Sequence, residues 1–307
     1  MWRKIQEVMR RYWGFQGFLP LQREAMECVL QGRDSLVVLP TGGGKSLCFQ
    51  APAMAMDGPA IVVSPLIALM KDQVDALVEH GIPAAKLDST MSPTEQSDVI
   101  RRIRDGTLKL LYLAPERLVS QRALAFLARV PLSFVAVDEA HCVSMWGHEF
   151  RPEYRELGVL KETFQGLPVH AYTATATDRV CADIAVQLRL DNPSIVVGSF
   201  FRPNLTLAVE RRHNGLKQVC DVLDRRRGES GIVYCIRRRD VDKLAEQLTE
   251  KGYRVVPYHA GMSNEERAKN QDAFLKDRID TIIATVAFGM GIDKSNVSYV
   301  IHTGMPS

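Results

Sequence analysis

The chain has 307 residues, 46% hydrophobic and 24% charged, the ordinary balance of a soluble globular protein with two domains, each able to bury a core. A formal net charge of +3 is too mild to nominate nucleic acid by itself. The surplus lies late in the chain: residues 1–207 carry 22 basic and 22 acidic side chains, residues 208–307 carry 17 and 14.

The stretch from Met1 to Gly17 mixes Arg and Lys with Trp and Tyr and lacks the apolar core of a signal peptide. No stretch is apolar for long enough to span a bilayer, so a cytoplasmic chain without membrane contact is expected. Apolar, β-branched runs then follow at Leu36–Leu39, Ala60–Ser64, Leu110–Ala114, Phe134–Val137, Val169–Tyr172 and Ile195–Val197, with helical segments between them. That alternation predicts a parallel sheet covered on both faces. Past 200–204 it restarts, with Ile232–Cys235, Arg254–Tyr258, Thr281–Ala284 and Tyr299–His302 as strands. Between two of these, Asp240–Lys251 places Val241, Leu244, Ala245 and Leu248 on one helical stripe. The boundary falls near Asn204–Leu207, giving domains 1–206 and 207–307 with a ligand cleft expected where they meet. Six scattered cysteines (Cys28, Cys48, Cys142, Cys181, Cys220, Cys235) form no C-x-x-C pair, so they read as buried reduced thiols and not as zinc ligands. The basic runs Arg225–Arg227 and Arg237–Arg239 read by default as solvated faces; the second directly follows a strand and is the better candidate for a phosphate contact.

Two strand ends carry chemistry. Ser35–Pro40 runs into Thr41-Gly42-Gly43-Gly44-Lys45-Ser46, a loop whose backbone N–H groups can face phosphate oxygens while a helix beginning at Lys45 adds its positive end. Lys45 would neutralise the β and γ phosphates of ATP and the Ser46 hydroxyl would ligate Mg²⁺. The strict pattern asks for glycine at position 39, where Leu39 stands; the triple glycine before Lys-Ser keeps the match. Phe134–Val137 runs into Asp138-Glu139-Ala140-His141, where Asp138 would hold Mg²⁺ and Glu139 would orient and deprotonate the attacking water. His141 is assigned a coupling role and no metal role.

Taken together and in order, PTGGGKS, SPLIALMKDQV (64–74), YLAPERL (112–118), DEAHCVSMWGHEFRPEY (138–154), YTATAT (172–177), YHAGM (258–262) and ATVAFGMGIDK (284–294) closely resemble the RecQ family of DNA helicases. The resemblance implies two RecA-like, P-loop NTPase domains with parallel sheets. It also implies a motor that uses ATP and Mg²⁺ to move 3′ to 5′ on single-stranded DNA and to separate duplex DNA in repair and recombination. By the same resemblance Trp146, His148, Phe150 and Arg151 belong to an aromatic-rich loop that senses DNA, consistent with rings that stack on bases beside an arginine that meets a phosphate. Thr173 and Thr175 match the segment linking hydrolysis to lobe movement. Phe15 and Gln22 match the adenine-reading motif, in which Leu19 replaces the usual arginine.

The chain ends at Ser307, before the family's Q-x-x-G-R-A-G-R segment and its zinc and winged-helix modules. The expectation is a second domain incomplete at its C-terminus, weak ATP hydrolysis without the arginine finger, and an uncovered apolar sheet face. Two other readings stay open: a nucleotide-dependent DNA-binding module with no motor activity, and an RNA helicase of the Asp-Glu-Ala-His group.

Overall fold

A computed structural model of the chain describes residues 1–147, 150–199, 204–288, 294 and 296–304. Two compact units are present, Met1–Leu205 and Thr206–Ser307.

Unit 1 opens with helices α1 (Trp2–Trp13) and α2 (Gln22–Leu30). Strands and helices then alternate as β1 (Ser35–Val38), α3 (Leu47–Ala55), β2 (Ala60–Val63), α4 (Ile67–Glu79), β3 (Ala84–Leu87), α5 (Pro93–Arg104) and β4 (Leu110–Leu113). They continue as α6 (Pro115–Leu118), α7 (Gln121–Leu127), β5 (Val135–Val137), α8 (Pro152–Arg155), α9 (Val159–Thr163), β6 (Val169–Thr173), α10 (Asp178–Gln187) and β7 (Ser194–Val197). The seven strands form one parallel sheet in the order β3-β4-β2-β5-β6-β1-β7. Each residue of β1, β2, β4, β5 and β6 is buried, the pattern of strands covered on both faces. Successive side chains alternate between two cores: Leu36, Val38, Ile61, Val63, Val135 and Val137 pack on one face, and Val37, Val62, Tyr112, Ala136 and Tyr172 on the other.

Strand β3 has no counterpart among the expected strands. Its sequence, Ala-Ala-Lys-Leu, has no β-branched residue, and it forms through pairing with β4 and burial of Ala84, Ala85 and Leu87. Helix α3 begins at Leu47, two residues later than expected, so Lys45 and Ser46 lie in the turn that precedes it.

Unit 2 comprises α11 (Gly215–Arg225), β8 (Ser230–Tyr234), α12 (Arg238–Glu250), β9 (Val255–Tyr258), α13 (Asn264–Leu275), β10 (Thr281–Ala284) and β11 (Val297–His302). Its strands are again all parallel, in the order β11-β8-β10-β9. The expected stripe of α12 is real: Val241, Ala245 and Leu248 are buried and Leu244 packs beside them against Val233 and Ile283. Five of the six cysteines are buried and Cys220 partly so, and none of the six forms a disulfide.

Candidate functional site

Strand order converts a scattered set of motifs into a row. Along the edge of the first sheet where the strands end, β4 delivers YLAPERL, β2 delivers SPLIALMKDQV, β5 the acid pair, β6 the YTATAT segment and β1 the glycine loop. The loop and the acid pair are thus separated by a single strand, β6, or about 10 Å at ordinary strand spacing. The backbone fixes each to an adjacent strand: Asp138 N donates to Val63 O of β2 at 2.9 Å, and Leu39 N donates to Thr173 O of β6 at 3.1 Å.

The glycine loop depends on conformations that side chains resist. Gly42 and Gly44 have φ of 79° and 70°, and Gly43 N donates to Pro40 O at 2.9 Å. A Cβ on Gly44 would lie 2.2 Å from Gln22 Nε2. Gln22 itself is 2% exposed, accepts from Leu19 N at 2.8 Å and donates to Gly44 O at 3.2 Å. It opens α2 behind Leu21, whose φ of 66° is a left-handed strain of about 1 kcal/mol or more. Gln22 is therefore brought against the phosphate loop, whereas Phe15 is half exposed and has no ring partner among the described contacts. Lys45 Nζ donates to Leu39 O at 3.2 Å across the loop.

Asp138 is 4% exposed, and burial, followed by repulsion from Glu139, pushes its carboxyl up to about 6. Three groups oppose that rise: Glu139 N donates to Asp138 Oδ1 at 3.0 Å, Gln73 Nε2 approaches Oδ2 at 3.4 Å, and Lys45 attracts it. A buried carboxylate beside a second carboxylate, with only partial compensation, is a fitting seat for a hard divalent cation. The Ser46 hydroxyl adds an oxygen donor of the right kind. Among the described residues no group of three or more His, Cys, Asp or Glu could hold a metal ion.

His141 joins two motifs. Its Nδ1 lies 3.2 Å from Glu139 Oε2 and 3.0 Å from Thr173 Oγ1 at the end of the neighbouring strand. Thr173 Oγ1 in turn meets Thr175 N at 3.3 Å and closes that turn. The acid pair, His141, Thr173 and Thr175 thus form one connected cluster.

The loop beyond is anchored but open. Ser144 Oγ donates to Asp183 Oδ2 on α10 at 2.6 Å, and Arg179, also on α10, stacks over the Trp146 ring at 3.3 Å from its centroid. Trp146 remains 60% exposed and Phe150 36%. Arg151 turns inward, its Nη1 donating to Pro65 O at 2.9 Å. The expected role of His148 lies outside the described residues. In unit 2 the Arg237–Arg239 run is exposed and opens α12. Three contributors escaped the motif reading: Gln73, Tyr154, which donates to Asp138 O at 3.1 Å, and the Arg179–Asp183 pair. Only Gln73 and Tyr154 lie within motif segments, and neither position advertises its partner.

A glycine loop with lysine and an acid pair whose aspartate is buried, at one edge of a parallel sheet, define a P-loop nucleotide-binding fold, here followed by a second parallel α/β unit. Residues 19–184 match the DEAD/DEAH box helicases, and residues 214–307 match the helicase conserved C-terminal domain. The chain belongs to the DEAD/DEAH box helicase family, and nucleotide use comes with that membership. It is 44% identical to the ATP-dependent DNA helicase RecQ of Pasteurella multocida, over 98% of this chain and 48% of the relative. It is 42% identical to the RecQ helicase of Bacillus subtilis over all of this chain and 52% of the relative. The chain spans about half the length of these curated relatives. The fold is shared with Mycobacterium smegmatis helicase Lhr, solved bound to single-stranded DNA and AMP-PNP, at a TM-score of 0.65 and 21% identity over 96% of this chain and 43% of that one. Among the described residues no helix is long and apolar enough to cross a membrane.

Proposed function

We propose that the chain works as a RecQ-type DNA helicase motor, coupling ATP hydrolysis to 3′-to-5′ movement on single-stranded DNA and to separation of duplexes. The observation that carries this reading is the His141 bridge, which joins Glu139 to the Thr173 turn within hydrogen-bonding distance of both. A change at the acid pair on nucleotide turnover therefore reaches the end of β6 directly. The similarity to RecQ helicases over 98% of the chain supports DNA as the track.

In this reading Thr41 to Gly44 present backbone N–H groups to the phosphates, Lys45 releases Leu39 O to meet the β and γ oxygens, and Gln22 with Phe15 reads the adenine. Ser46 and Asp138 hold Mg²⁺, which supplies charge neutralisation and orientation of the phosphates when bound. Glu139 takes a proton from the water attacking the γ-phosphorus as the bond to the bridging oxygen breaks. Trp146 and Phe150 offer exposed faces for stacking on unpaired bases. Arg151, held on Pro65 O, fixes the base of that loop.

The deciding experiment is ATP turnover by this chain with single-stranded DNA, with RNA and with neither. Turnover raised by DNA and lowered at least a hundredfold by Lys45→Ala is expected. Stimulation by RNA alone, or turnover indifferent to Lys45→Ala, would overturn the reading.

A further inference from the structure

The Asp138–Glu139 peptide is gripped at both ends. Its N–H donates to Asp138 Oδ1 at 3.0 Å, and its carbonyl, Asp138 O, accepts from Tyr154 Oη at 3.1 Å. Glu139 sits at φ 48° and ψ 44°, a left-handed conformation that an L-residue with a side chain keeps only where its surroundings hold it. Tyr154 is fully buried, so its hydroxyl has no solvent alternative, and it occupies α8, sixteen residues beyond the acid pair. The same short stretch is fastened twice more: Arg151 N donates to Cys142 O at 2.9 Å and Arg151 Nη1 to Pro65 O at 2.9 Å. The segment after the aromatic loop therefore returns as a rigid back-plate to the acid pair.

We infer that Tyr154 is a positioning residue, whose hydroxyl fixes the plane of the Asp138–Glu139 peptide and so sets the direction in which the Glu139 carboxylate leaves the end of β5. Without that bond, the peptide still has the grip of the Asp138 side chain, the same carboxylate assigned to the metal. The two tasks of Asp138 then compete: a carboxylate oxygen drawn to a cation is less available to Glu139 N. Tyr154 separates them by holding the other end of the peptide. The inference rests on the reading of Glu139 as the group that orients the attacking water.

Tyr154→Phe deletes one oxygen and keeps the ring that fills the core, so folding is preserved. Hydrogen exchange at the Glu139 amide is expected to rise at least tenfold, with the amides of Val135–Val137 unchanged. In turnover, kcat falls about tenfold while KM for ATP stays within twofold, and Tyr154→Phe adds no further loss on top of Glu139→Gln. A purely structural tyrosine would instead speed exchange evenly across β5 and α8, shift KM and kcat together, and act additively with Glu139→Gln. Any of those results, or unchanged exchange at Glu139, overturns the inference. Absence of turnover in the unsubstituted chain would count against the hydrolysis reading alone, since the exchange result judges Tyr154 independently.

Discussion

Each unit carries a buried histidine just past the end of a strand, and the two are used differently. His141 in unit 1 is 4% exposed and reaches sideways along the sheet edge, from the acid pair to Thr173 on the next strand. His259 in unit 2 is 6% exposed and reaches outward. Its Nδ1 accepts from Gly261 N at 3.1 Å, which leaves the proton on Nε2 to be donated to Asp242 on α12 at 2.9 Å. Asp242 has a side chain 58% exposed. The first histidine connects parts of a site, and the second staples a helix to a loop. Polar groups in unit 1 are therefore buried at a cost to stability and joined to one another, whereas unit 2 meets its surroundings with exposed arginines at the start of α12.

The sharpest way to break that contrast is at Asp138. Its carboxyl is pushed from an ordinary 3.8 up to about 6 by burial and by Glu139, so the folded state binds a proton more readily than the unfolded one. The penalty is fully present above pH 6 and is relieved as pH falls towards 4. Asp138→Asn is expected to stabilise unit 1 by about 2 kcal/mol at pH 7 in urea denaturation, with the gain shrinking by pH 4.5, while turnover is lost. Destabilisation at pH 7 would show that the carboxylate is a structural asset and dissolve the contrast.

A smaller effect attaches to His170, wholly buried in β6 with Nδ1 2.9 Å from Ser35 Oγ. Burial lowers its pKa from 6.5 to about 3, so it is neutral when folded and takes up a proton on unfolding. Stability is held above pH 6.5 and drains as pH falls below it; from pH 7 to 5.5 the loss is about 1 kcal/mol. His170→Gln should flatten this part of the pH profile, and an unaltered slope would assign the acid sensitivity elsewhere. The smallest effect is at Asp242→Ala: its partly exposed pair with His259 should cost unit 2 less than about 1 kcal/mol, screened further by salt. A larger loss would make the His259 staple a main support of unit 2 and dissolve the contrast from the other side.

The motif row shows what local pattern can and cannot carry. The runs of Val, Leu and Ile announced most strands of both sheets, because a strand covered on both faces has to be apolar throughout. Ala84–Leu87 escaped because its two alanines and a lysine hold no strand preference and the segment is recruited by β4. The glycine loop and acid pair could be picked out residue by residue as candidates, since phosphate and metal chemistry restrict the types of side chain. Their neighbours were not: Gln73 meets Asp138 across 65 residues, and Gln22 meets Gly44 across 22, contacts fixed by packing alone. The inward turn of Arg151 onto Pro65 O likewise depends on the path of the loop, not on its composition.

The position of β1 has a consequence for how the chain acquires its fold. Ser35 pairs with His170 on one side and Ser194 on the other, so the strand that carries the glycine loop has no partner until His170, 135 residues later, has been made. At ordinary rates of synthesis that interval is on the order of ten seconds, during which Leu36 to Leu39 has no sheet to join. Its closure is the long-range, slow kind of pairing. The loop that would grip phosphate is thus made well before its strand can pair, and capture of nucleotide would report that β1 has found its place in the sheet.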